Sequence, residues 1–165
     1  MYYKILDFVN DWIFESESTI KLLKNLTDES LKQKVNEEGR SLGFLAWHIT
    51  ASISEMMNRT GLKVDVVDEN CEPETASLIL DAYRMSAQAV IDQVKEKWTD
   101  ESLAEEVNMY GENWSNGKTL SVLIVHQIHH RAQMTVLMRQ AGLKVNGIYG
   151  PSREEWAQFG MPAMR

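Results

Sequence analysis

The chain has 165 residues, enough for one domain with a substantial buried core. Its 24 acidic residues outnumber 17 basic ones, for a net charge of -7, which argues against the clustered basic face that nucleic acid requires. A single cysteine, Cys71, excludes an internal disulfide and fits a reducing compartment.

The opening MYYKILDFVNDWIF has no basic n-region, and Lys4, Asp7, Asn10 and Asp11 interrupt its apolar character. The expectation is therefore no signal peptide, no membrane span anywhere in the chain, and a cytoplasmic protein. From about Tyr2 to Leu26, the residues Ile5, Phe8, Trp12, Glu15, Thr19, Leu22 and Leu26 follow the three-and-four rhythm of an amphipathic helix. Glu15 and Thr19 fall on its inward stripe. One explanation is a helix boundary or a solvent channel; the other is a polar centre shared with the histidines discussed below.

The polar segment from Leu26 to Arg40 carries a capping signature, either Thr27 with Ser30 or Asp28 leading into a short turn, and Ser41 suits the N-cap of a second helix running to about Thr60, before Gly61. A loop, LKVDVVDENCEPETAS, leads to a third helix from about Thr75, with the stripe Leu80, Tyr83, Ala87, Val90, Ile91, Val94 and Trp98. Between Glu101 and Lys118 the helical rhythm is lost. Gly111 and the pair Asn116-Gly117 predict a loop or short hairpin there.

The fourth helix, Thr119 to Gly142, carries three of the four histidines. His126 and His130 are one turn apart, about 40° on one face, so two imidazoles can reach one metal ion. His129 lies about 60° to the other side, which makes it second choice for a pair and suits the surface or a subunit contact. Val122, Leu123, Gln133, Met134 and Leu137 share the face of the pair. The remaining histidine, His48, sits in the second helix with Phe44, Leu45, Ser52, Glu55 and Met56 on its face. If the two helices pack side by side, three nitrogens with open positions describe a catalytic ion rather than a closed structural one. The alternative is three separately satisfied imidazoles.

Four amphipathic segments imply an all-α protein, a four-helix bundle with a short hairpin or loop before the last helix and an ordered C-terminal tail, residues 1–165 forming one domain. Ile124 and Ile128 lie opposite His126, so a second face of the fourth helix needs covering, by the tail or by a second copy in a homodimer.

With His48 in the second helix and the run His126, His130, Arg131, Ala132, Gln133 in the fourth, the chain resembles the DinB family, whose fourth-helix pattern is close to H-x-x-x-H-R-G-Q. Ala132 stands where the family has glycine, a small-for-small change. The tail runs Ile148-Tyr149-Gly150-Pro151 and Glu154-Glu155-Trp156 also resemble a subgroup of that family. The resemblance implies a DinB/YfiT-like bundle and a divalent ion, zinc or nickel, held by His48, His126 and His130 with water in the open positions. It also implies a low-molecular-weight thiol as co-substrate, since relatives include bacillithiol S-transferases and a mycothiol-dependent maleylpyruvate isomerase. The family name comes from induction by DNA damage and implies no DNA binding.

Such an ion lowers the pKa of a bound thiol or water toward neutrality. Glu55, two turns after His48 and about 20° away, is the candidate catalytic carboxylate, as general base or as acceptor orienting a ligand imidazole. Its plainer alternative is an ion pair with Arg59. Gln133 is either a partner of a ligand imidazole or a core-edge amide, and Arg131 faces away to anchor a neighbouring helix or the tail. The expected function is thus a metal-dependent, thiol-using S-transferase acting on small electrophiles. The alternatives are a metal-dependent hydrolase or a non-catalytic metal-binding stress-response protein, with a nuclease the weakest.

Overall fold

The computed structural model describes residues 1–65, 68 and 70–163. The chain is mostly helical, with α1 (Ile5–Leu23), α2 (Leu42–Arg59), α3 (Ala76–Lys97) and α4 (Asn116–Gln140), and one antiparallel hairpin of β1 (Glu106–Met109) and β2 (Glu112–Ser115) just before α4. Short 3-10 turns lie at Glu29–Lys32, Glu101–Ala104 and Trp156–Phe159.

Hydroxyl caps set three helix starts. Ser41, Thr75 and Ser115 accept hydrogen bonds from the backbone N–H groups of Phe44 (2.9 Å), Leu78 (3.4 Å) and Lys118 (3.1 Å). Thr27 and Ser30 bond each other's backbone N–H reciprocally, at 3.0 and 3.2 Å, and cap the first 3-10 turn as the sequence predicted. The expected loop after Gly61 falls partly outside the described residues.

The pair Asn116-Gly117 is not the hairpin turn that its composition suggested; it opens α4. Tertiary contacts override the local preference there. Asn116 donates from its side chain to Ser102 O (3.0 Å) and from its backbone to Glu105 O (2.9 Å). Gly117 lies so close to the N-terminal segment that an added Cβ would sit 2.1 Å from Tyr2 O. The turn is instead made by Tyr110 and Gly111, with φ of 57° and 88°, between the paired residues Met109 and Glu112.

α2 packs against α4 and α3, while α1 packs against α3 and α4. Phe8, Trp12, Ile49, Ile53, Met57, Ile79, Val90 and Leu120 are fully buried between them, each worth about 1.5–3 kcal/mol where a whole large side chain leaves water. Two buried polar links tie the layers. Trp12 Nε1 donates to Ala87 O (2.9 Å), and Gln127 joins Tyr83 Oη (3.1 Å) to Ile49 O (2.7 Å). α4 is not enclosed on every side, since Val125 and Val136 are more than half exposed.

Glu15 and Thr19 meet neither sequence-based expectation. Both are buried within the helix, and they face Arg131 rather than the histidines. Arg131, 2% exposed, bonds Glu15 Oε2 (2.6 Å), Glu15 O (2.9 Å) and Thr19 Oγ1 (3.3 Å). Tyr149 Oη completes the cluster by donating to Glu15 Oε1 (2.6 Å) while accepting from Arg131 (3.0 Å). Arg131 therefore anchors both a neighbouring helix and the C-terminal segment. A buried carboxylate is tolerable there because a guanidinium and a phenol saturate both its oxygens.

Candidate metal centre

The packing of α2 on α4 brings together the three histidines that the sequence singled out. One ring nitrogen from each of His48, His126 and His130 falls within 4.8 Å of the other two. The ring centroids are 4.5 to 5.0 Å apart, and His48 Nε2 and His126 Nε2 approach to 3.2 Å. An ion at the usual metal–nitrogen length of about 2.1 Å from both would subtend about 100°, between octahedral and tetrahedral angles. Three imidazole nitrogen donors around one point fit zinc, nickel or another borderline ion.

The surroundings of these rings suit them to bind a cation. Burial pushes the His126 imidazole down to about 4, helped by the nearby charges that His130, His48 and His129 would carry. Burial also lowers His130, against a smaller opposing effect of its hydrogen bond to Gln133. Both rings are therefore neutral at physiological pH, the form that binds a cation. Gln133 Oε1 accepts from His130 Nδ1 at 2.8 Å, which directs the Nε2 lone pair toward the other histidines. The Gln133 amide also reaches exposed His129 at 3.2 Å, so His129 stands beside the triad and outside it. His48 stacks on Phe44 at 5.8 Å, and the Arg40 guanidinium lies 4.9 Å from the centroid of that phenyl ring. His126 Nδ1 is buried with no hydrogen-bond partner among the described residues.

A cavity of about 550 Å³ opens beside the triad, lined by His48, Ser52, Glu55, Met56, Arg59, Tyr110, Val122 and His126. Glu55 has the ion pair with Arg59, at 2.5 Å, that its spacing suggested, and it also lines the cavity. Its second oxygen accepts from Tyr110 Oη at 2.5 Å. Sequence reasoning missed Tyr110. The available signal was its position directly before Gly111, but nothing local links a hairpin tip to a helix 55 residues earlier. Cys71 is exposed and belongs to no metal-ligating group among the described residues.

No helix among the described residues is long and apolar enough to cross a membrane. The family model for the DinB family matches residues 1–163. The chain is 46% identical over 164 residues to the uncharacterized protein YrdA of Bacillus subtilis, covering 99% of this chain and 98% of that one. Its fold is similar to the crystal structure of a DinB-like protein from Bacillus cereus, with a TM-score of 0.88 and 43% identity over 90% of this chain and all of the other. A DinB-like protein of Bacillus subtilis, YjoA, shares the fold at a TM-score of 0.67 and 17% identity, covering 88% of this chain and 99% of its own. The chain belongs to the DinB family.

Proposed function

We propose that this protein is a divalent-metal-dependent enzyme that transfers a small electrophile to the sulfur of a low-molecular-weight thiol. The observation that carries this reading is the convergence of three imidazole nitrogens, from two helices, beside a cavity large enough for a small molecule. His48, His126 and His130 would hold the ion, zinc or nickel. When bound, such an ion supplies positive charge that favours the ionised form of a thiol or of water.

The chain's own residues divide the remaining work. Gln133 fixes the orientation of His130. Glu55 is the carboxylate in the cavity that receives the thiol proton, or orients the nucleophile by accepting its hydrogen bond. Met56 and Val122 exclude water from the cavity wall and suit an apolar portion of the electrophile. We read residues 1–165 as one four-helix-bundle domain with an ordered C-terminal segment. We also read the protein as cytoplasmic, with no nucleic-acid partner. The exposed Val125 and Val136 on α4, beside exposed His129, are the surface we assign to a homodimer contact.

The experiment is metal analysis of protein purified without a nickel column, followed by a screen of thiols against alkylating and acylating electrophiles. Turnover that disappears in His48→Ala with the fold retained supports the assignment. Hydrolysis without a thiol would replace the transferase reading by a hydrolase. A large loss of melting temperature on chelation, with no turnover of any pair, would instead make the ion a staple between α2 and α4.

A further inference from the structure

Tyr110 occupies a backbone position that disfavours it. It is the first central residue of a two-residue hairpin turn in which both φ angles are positive, at 57° and 88°. Asparagine, aspartate or glycine take that position readily in such turns, whereas a bulky residue in the left-handed region is uncommon and strained. The side chain that bears this strain is held on three sides. Its hydroxyl donates to Glu55 Oε2 at 2.5 Å, the Arg59 guanidinium lies 5.0 Å over its ring, and Trp114 meets its edge at 5.8 Å. Arg59 in turn bonds the other oxygen of Glu55, so phenol, carboxylate and guanidinium close a triangle. All three line the cavity beside His48 and His126. Tyr110 and Arg59 are its exposed members, whereas Ser52 and Met56 are buried. Tyr110 and Arg59 therefore stand on the solvent side of the cavity, with Ser52 and Met56 on its buried side and His48 and His126 half-buried between them.

We propose that Tyr110 is a positioning and specificity-determining residue: latched through Glu55 and Arg59, its ring narrows the entrance to the histidine cavity and sets the girth of the ligand that can enter. It also holds one oxygen of Glu55 in place, leaving the carboxylate a single orientation toward the cavity. This deepens the function proposed above and rests on it for the nature of the ligand. The placement of the ring does not depend on any ion.

The test is carbethoxylation by diethyl pyrocarbonate, mapped by peptide mass, on chelated protein. His126, half-buried in the cavity lining, is compared with exposed His129 in the same molecule, which serves as the internal reference. In the wild type His126 reacts much more slowly than His129. Tyr110→Asn, which suits the turn and removes the ring, raises the His126:His129 rate ratio about fivefold or more, with a melting temperature no lower than wild type. Tyr110→Phe keeps the ring and loses the latch, and gives a smaller rise. A ratio unchanged in Tyr110→Asn, or a clear loss of melting temperature without a change in ratio, would overturn the proposal and make Tyr110 a structural tie. In cobalt-loaded protein, Tyr110→Asn should also improve the affinity for 1-benzylimidazole relative to imidazole. Failure of cobalt to bind the wild type would count against the metal reading alone, since the footprint of chelated protein decides the role of Tyr110.

Discussion

His48 Nε2 and His126 Nε2 face each other at 3.2 Å, although 78 residues separate them in the chain. Without a cation that contact is a hydrogen bond only when one of the two Nε2 atoms carries a proton and the other does not. A cation between them and His130 satisfies all three lone pairs together. Binding of zinc to the folded chain should therefore stabilise it by about 2.7 kcal/mol at a free concentration one hundred times Kd. That corresponds to a rise of about 5–10 °C in melting temperature for a chain of this size. Calorimetry with and without chelator checks this, and His126→Ala should remove most of the rise.

The chelated protein should lose stability as pH falls from about 7 toward 4. The unfolded chain protonates its histidines around the ordinary value of about 6.5, whereas folded His126 takes up its proton only near 4 and folded His130 below its usual range. Between those limits the unfolded state binds more protons, so stability rises with pH through that window and is flat above it. Urea midpoints at a series of pH values measure this. A midpoint that does not change between pH 7 and 5 would contradict the burial of these rings. His126→Ala should flatten the slope.

Removing the acceptor beside His130 should weaken metal binding without unfolding the chain. Gln133→Leu leaves His130 Nδ1 without its 2.8 Å partner and frees the ring to rotate. Losses of about 10- to 100-fold in metal affinity are typical for such supporting contacts, and Gln133→Glu should retain most of it. Competition against a chromogenic chelator gives the number.

Arg131 should matter to stability and not to the histidine site. Arg131→Met strands the Glu15 carboxylate, which is 6% exposed, at a cost of about 3–5 kcal/mol. The double change Arg131→Met with Glu15→Gln should recover much of that loss. Thermal melts of the three proteins decide it, and both variants should bind metal as the wild type does wherever they are folded.

Glu55→Gln keeps the shape and the Tyr110 contact but removes the base. If the activity proposed above is found, this variant should retain metal and lose about 10²- to 10⁴-fold in kcat, the range general-base catalysis usually supplies. Wild-type kcat in Glu55→Gln would confine Glu55 to its ion pair with Arg59.

Periodicity made the first three helices legible, because each must bury one stripe, whereas the fourth carries apolar residues on more than one face. The cap Ser41 was legible because a hydroxyl beside an apolar run has few other uses. The one-turn spacing of His126 and His130 likewise placed both on one helical face before any packing was known. What local signals do not encode is the partner across a gap. Asn116-Gly117 reads as a turn until Tyr2 and Ser102 pack against it, and Glu15 reads as a boundary residue until Arg131 reaches it from α4. The closeness of His48 to the α4 pair depends on which helices pack side by side, and the joining of Tyr110 to Glu55 on how the hairpin folds over α2. These are relationships of tertiary packing, set by burial of the whole core rather than by any stretch of residues within it.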